Sequence, residues 1–382
     1  MKSINSLVLL SAGASAAAVS STSYAQLLTD SVIRRGVTPS FHYSQATLYT
    51  GLESVYDLTG NSTLLDFYRE QIDALVLENG TIASYPYAKH SLDNYRLGNN
   101  ILWWYEKTGE EKFKLAADGI KTILLDSHPR TPTGGFWHRD PTYPNQMWLD
   151  GIYMADSFYA KYVKLFQPNN QTAWDDIALQ FDKIDVITRK DNNLLLHGYD
   201  ESKVAVWADP VTGAAPLLWA RADGWYFMSL LEVISHFPKS HPARKRFLNY
   251  FKGQAKGLKN AQDETGGWWN IMDKEYEDVD GNYIESSASA MFAFGLIRGI
   301  NQGILDKKTY ASAAKKAYKG LVKDFITSND DGTINWEGTV EVGSLGSNAT
   351  FTYYSSIGLV QNDLRGIGSF LVAAKEWETR KF

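Results

Sequence analysis

Apolar residues recur along this chain with the period of an α-helix. In "QATLYTGLESVYDLTG", Leu48, Leu52 and Tyr56 fall at i, i+4 and i+8, and the pattern stops at Gly60. A glycine there suits the left-handed residue that closes many helices. "NYRLGNNILWWYEKTG" does the same with Leu97, Ile101 and Tyr105, and stops at Gly109. The two ends are alike, "YDLTGNSTLLDF" against "YEKTGEEKFKLA", and form a weak internal repeat of helical hairpins. Further helices are expected over 146–165, 172–188, 222–236, 241–260, 286–303, 308–326 and 353–375. Alternating strands are few. "NLLLHGYD" and "TVEVG" read as short hairpins at helix ends. A hairpin that cannot bury its apolar face alone stacks on its neighbours. Six hairpins of roughly 60 residues would close a ring of about twelve helices, with the Trp- and Gly-rich loops at one mouth. Periodicity supports an all-α, hairpin-repetitive fold and does not by itself show closure. No Pro- or Ser-rich linker divides residues 26–382, which points to a single domain.

The first 25 residues break this pattern. Lys2 is followed by the short apolar run "SLVLLSAGASAAAV", and Ser23 and Ala25 stand at the two small positions of a cleavage site before Gln26. The run is too short for a membrane span of about 20 residues. A secretory signal cleaved after Ala25 is expected, and with it a secreted, extracellular protein without membrane attachment. The sequons at Asn61, Asn79, Asn170 and Asn348 agree with export and are glycosylation candidates. There is no cysteine, which removes thiol catalysis and cysteine metal sites. Net charge is −5 without a long basic cluster, so nucleic acid is not an expected partner. Aromatic residues make up 13%, with 12 Trp and 22 Tyr. Such rings build cores, and they also stack on the apolar faces of sugars.

One carboxylate stands in the most apolar-aromatic run. Read as a helix, "YPNQMWLDGIYMADSFYAKY" puts Asp150 on a face with Met147 and Met154. There it either has a buried partner or titrates high, because desolvation raises a carboxyl pKa. A raised carboxyl can give a proton near neutral pH; a structural aspartate paired with an arginine or capping a helix fits the position equally. Asp93 in "KHSLDNYRLGNN" and Glu285 in "GNYIESSASAMF" stand where helix caps stand. Arg221 lies between Trp219 and Trp225, placed to stack on a ring and present its fork to a carboxylate, or to form a cation–π pair. His138 in "GGFWHRD" and His197 in "LLLHGYD" lie on Gly-bearing loops. No HExxH, Walker A, dinucleotide fingerprint or GxSxG elbow occurs, so neither metal nor cofactor is expected.

Taken in order, "GGFWHRDPTYPNQMWLDGIYMADSFYAKY", "LLLHGYDES", "LWARADGW" and "ESSASAMFAFGLIRGI" resemble the unsaturated glycuronyl hydrolases. The match is best to glycoside hydrolase family 105, the unsaturated rhamnogalacturonyl hydrolases, with the related family 88 unsaturated glucuronyl hydrolases second. It runs from about Phe41 to the C-terminus. The resemblance implies an (α/α)6 barrel, a six-hairpin toroid. It implies action on the 4,5-unsaturated uronic acid that polysaccharide lyases leave at a non-reducing end, by hydration of the C4=C5 enol ether. Asp150 matches the family's general acid/base and Asp93 its second acid. His138, His197, Arg221 and Trp225 match substrate-binding positions, as do Met147 in "QMWLDG" and Tyr43 in "FHYSQATLYTG". The family often has Gly-Asn after the arginine, where this chain has Ala222-Asp223. An acid there either weakens the pull on an anionic substrate or pairs with Arg221. The leaving sugar is thus open between rhamnose, galactose or another sugar. The expected partner is a uronate-terminated oligosaccharide, and the expected state a monomer. Another (α/α)6 enzyme, such as a two-carboxylate glycosidase or sugar epimerase, and a non-catalytic sugar-binding protein are the alternatives.

Overall fold

The computed structural model describes residues 23–382. Most of the expected export signal therefore lies outside the described residues. Helices alternate between an outer and an inner layer. In chain order they are outer α1 (Tyr24–Arg35), inner α2 (Tyr43–Thr59), outer α3 (Ser62–Asp73), inner α4 (Leu97–Thr108) and outer α5 (Glu111–Thr122). A single turn, α6 (Leu149–Gly151), leads into inner α7 (Ser157–Phe166). Outer α8 (Gln171–Thr188), inner α9 (Ala220–His236), outer α10 (Pro242–Asn260), inner α11 (Ser286–Asn301) and outer α12 (Lys307–Phe325) follow. After the short α13 (Phe351–Ser355), inner α14 (Leu364–Glu378) ends the chain. The inner helices touch in chain order, and α14 packs back on α2, so the six hairpins close a ring. This is the (α/α)6 barrel.

Closure follows from small residues. Gly51 of α2 faces Gly368 of α14, and a Cβ added at Gly368 would strike the Thr47 carbonyl. α11, "SSASAMFAFGLIRGIN", is buried almost all round, as a helix with neighbours on every side must be. Side-chain caps start the elements where the sequence places Asn or Asp: Asn170 accepts from the Ala173 amide (3.1 Å) and Asp306 from the Thr309 amide (2.9 Å).

The expected helix over 146–165 is corrected. Residues Gln146–Trp148 form β1, which pairs antiparallel with β2 (Gly198–Asp200). Helix begins only at Leu149, and Ile152–Asp156 make a π-turn before α7. Gly198 permits the strand pairing, since a Cβ there would stand 2.5 Å from the Met147 carbonyl. The helix expected over 353–375 is likewise divided, by an extended segment at Leu359–Val360 and a cap at Asp363. The two segments read as hairpins pair instead with distant strands: 198–200 with 146–148, and β5 (Thr339–Val340) with β6 (Leu359–Val360). β3 (Ile326–Ser328) and β4 (Ile334–Trp336) form the remaining pair. The segments that lead from outer to inner helices gather at the N-terminal ends of the inner ring.

Candidate active site

Those N-terminal ends deliver side chains to one cavity of about 150 Å³. Tyr43 comes from the start of α2, Asp93 from the turn before α4, and Asp150 from α6. Arg221 and Trp225 come from the first turns of α9. His138, Arg139, Tyr143 and Trp148 come from the segment before α6, and Val342–Ser344 from the segment after β5. Trp148 stacks on His138, centroids 4.1 Å apart at 10°, and Tyr143 leans on Trp148 at 4.5 Å. On the opposite wall Trp225 stacks on Tyr153 (4.6 Å) and meets Tyr43 edge-on. The walls are aromatic, and the polar groups converge on the floor.

Asp150 stands on that floor with a two-step support. His197 Nε2 lies 3.1 Å from Asp150 Oδ2, and His197 Nδ1 lies 2.7 Å from the Tyr354 hydroxyl. Burial pushes the Tyr354 hydroxyl well above its usual range, so it keeps its proton. It can therefore donate to Nδ1, and the ring proton sits on Nε2 and is donated to Asp150. Burial raises the Asp150 carboxyl, but the electrostatic pull and hydrogen bond of the His197 N–H outweigh it, and the group lies below its ordinary range. Of the two sequence alternatives the buried partner wins.

Asp93 caps no helix. Its Oδ2 accepts from Arg139 Nη2 at 2.6 Å and from the Ser91 hydroxyl at 3.3 Å, and its Oδ1 lies 3.7 Å from His138 Nε2. His138 is buried rather than a surface loop histidine. Burial lowers its pKa against the opposing charges of Asp93 and Asp150, and its Nδ1 has no partner among the described residues.

Arg221 cannot present its whole fork. Nε donates to the Ser287 hydroxyl (2.9 Å), Nη1 to the Glu341 carbonyl (2.6 Å), and Nη2 to Glu285 (3.3 Å) and the Val340 carbonyl. Of five N–H groups one is left over. Glu285 does cap α11, through the Ala288 amide at 2.6 Å, while also holding Arg221. Asp223 neither pairs with Arg221 nor faces the cavity. It accepts from the Leu195 amide (3.2 Å) and from Gln254, and burial pushes its carboxyl up to about 7. Met147 is also off the site. It lies on the other face of β1 from Trp148, beneath Gly135, with the Tyr199 hydroxyl 3.1 Å from its sulfur. The alternation of a strand, unseen in the helical reading, explains the error.

Sequence reasoning missed Arg139, Tyr143, Trp148, Tyr354 and Arg365. Arg139 and Trp148 adjoin His138 and Leu149 in quoted motifs, so adjacency was the available signal. Tyr354 is brought to His197 from far along the chain and carries no local pattern. Arg365 reaches the Tyr43 hydroxyl at 3.3 Å and is held by Asp363. No three His, Asp or Glu side chains among the described residues come together as a metal-ligand set.

The family model for Glycosyl Hydrolase Family 88 matches residues 19–381. A glycoside hydrolase of family 105 from C. acetobutylicum has a solved structure that superposes with TM-score 0.89. It is 35% identical and covers 94% of this chain and 100% of its own. An unsaturated 3S-rhamnoglycuronyl hydrolase of Alteromonas sp. is 24% identical over 76% of this chain and 69% of its own. The unsaturated rhamnogalacturonyl hydrolase YesR of Bacillus subtilis is 25% identical over 65% of this chain and 68% of its own. A six-hairpin ring that gathers Asp93, Asp150 and His138 around one aromatic cavity at its inner helix ends thus meets a family model over nearly its whole length, and the chain belongs to Glycosyl Hydrolase Family 88.

Proposed function

We propose that this enzyme removes a 4,5-unsaturated uronic acid from the non-reducing end of lyase-generated oligosaccharides, by hydrating the C4=C5 enol ether. The observation that carries the reading is Asp150, which lines the aromatic-walled cavity with Asp93 and is held by the His197–Tyr354 pair. The aromatic walls suit the flat, half-planar ring of an unsaturated sugar. Arg139 at the rim and the remaining N–H of Arg221 give its carboxylate cationic partners. Asp150 is ionised in the empty site, and the bound uronate changes that. Its negative charge and the loss of water both favour the protonated carboxyl. Asp150 then gives its proton to C4, and positive character develops at C5 and the ring oxygen. Water adds at C5, and the Asp150 carboxylate takes the proton released. The hemiketal opens and collapses to the free sugar and a keto-uronate. Asp93, fixed by Arg139, positions substrate or water. The names of the Alteromonas and Bacillus relatives, a rhamnoglycuronyl and a rhamnogalacturonyl hydrolase, support this substrate type.

The test is a pair of substrates that differ only in the C4=C5 bond. The unsaturated disaccharide should be cleaved and its saturated counterpart left intact. Cleavage of both at similar rates would overturn the reading in favour of an ordinary two-carboxylate glycosidase.

We also propose export. The expected cut after Ala25 lies within the first turn of α1, where the Ser23 side chain accepts from the Gln26 amide (3.1 Å) and Ala25 is buried. Intact-mass measurement of the protein from the medium, before and after deglycosylation, tests the cut and the four sequons; recovery of the full-length chain inside cells alone would refute export.

A further inference from the structure

We infer that the leaving sugar occupies a second hollow beside the catalytic cavity, built for a neutral, unsulfated sugar; this rests on the reading above. The hollow measures about 320 Å³ and is lined by Thr142, Tyr143, Gln146, Val206, Trp207 and residues 345–347. Tyr143 belongs to both spaces. One continuous loop serves both as well: 342–344 faces the cavity and 345–347 the hollow. The partition is thin, closed by the Tyr143 hydroxyl at 3.2 Å from the Ser344 hydroxyl, with Gly346 beneath the same ring. At about 150 Å³ the cavity is roughly half the smallest size typical of a drug-sized ligand, so it takes one sugar ring and the next must lie outside. The hollow is the adjoining space.

The chemistry of its lining selects the sugar. None of the lining side chains is charged. Trp207 spends its ring N–H on the Leu345 carbonyl (2.7 Å), which fixes the ring as an apolar wall. Gln146 accepts from Trp148 Nε1 (3.0 Å), and its amide nitrogen has no partner among the described residues. The rim loop is held by Asp200, whose carboxylate accepts from the Val204 (3.0 Å) and Ala205 (2.8 Å) amides and the Ser202 hydroxyl (2.6 Å). That loop presents Val204 and Val206 to solvent, 79% and 83% exposed. An apolar face and one amide suit a neutral pyranose. A sulfate or carboxylate there would lose water without gaining a cation.

The test compares kcat/KM for three unsaturated uronides: the methyl glycoside, the disaccharide with rhamnose, and the same disaccharide with a 3-sulfated rhamnose. The neutral disaccharide should exceed both others by about tenfold. Val206→Lys changes an exposed side chain and should raise the sulfated-to-neutral ratio by about fivefold or more, as a new cation meets the sulfate. Equal use of sulfated and neutral disaccharides, or a ratio unmoved by the substitution, overturns the inference. Turnover of all three without regard to the aglycone sinks the second hollow and leaves the catalytic reading standing. No turnover of any of them overturns the catalytic reading itself.

Discussion

At the scale of single residues, the pH dependence follows from how Asp150 is held. The His197 ring keeps the free-enzyme carboxyl below its ordinary range. The fraction carrying a proton therefore falls as pH rises through that lowered pKa, and kcat/KM should fall with it. In the proposed reaction the bound uronate raises the same pKa, so the falling limb of kcat should lie at higher pH than that of kcat/KM. Tyr354→Phe removes the donor that fixes the His197 proton on Nε2. With the proton free to sit on Nδ1, Asp150 loses its hydrogen bond and its pKa rises. The variant should lose about tenfold in kcat and move the kcat/KM limb to higher pH. A profile unmoved in pH would show Tyr354 to be packing alone. Much of this site was legible in the residues. Asp150, Asp93, His138, His197 and Trp225 stand in compact motifs. What was not legible is the sign of the Asp150 shift, because the opposing histidine arrives from another loop, and its own support comes from Tyr354, further still along the chain.

At the scale of elements, periodicity located most helices within a few residues, because an apolar stripe every third or fourth position is what an inner or outer helix must present. It failed where long-range pairing decides the backbone. β1 looks helical in "QMWLDG" and becomes extended because Gly198 lets β2 approach. That one difference turns Met147 away from the cavity and Trp148 towards it. Ring closure makes a sharper demand on α2 and α14. Gly368→Ala drives a methyl into the Thr47 carbonyl, where backbone must move. The expected loss is about 2 kcal/mol or more, within the range for overpacked interiors, read from the denaturant midpoint. A midpoint unchanged from wild type would mean the two helices have slack at this contact.

At the scale of the whole molecule, polar groups are also buried away from the catalytic cavity. Glu53 is one of them, accepting from the Tyr68 hydroxyl (2.7 Å) and the Asn100 amide (2.8 Å). Burial pushes its carboxyl up to about 7. The folded protein then keeps a proton that the unfolded chain releases above its ordinary carboxyl pKa. The stability this group contributes is full below the unfolded pKa and is lost as pH rises towards 7. Glu53→Gln should remove that loss. Relative to wild type, the variant should gain about 2–3 kcal/mol between acid and neutral pH, measured by denaturant titration at each pH. A constant difference across pH would show that Glu53 is ionised when folded. The closed ring, the cavity at the inner helix ends and the family match over residues 19–381 make one consistent molecule. The proposed chemistry turns on Asp150 protonating the enol ether. The most direct measurement follows the ultraviolet absorbance of that conjugated bond on a lyase-generated disaccharide, wild type beside Asp150→Asn. The wild type should bleach it, and the variant's rate should be lower by at least about a thousandfold, with substrate still bound. A variant that bleaches as fast as wild type would contradict this chemistry.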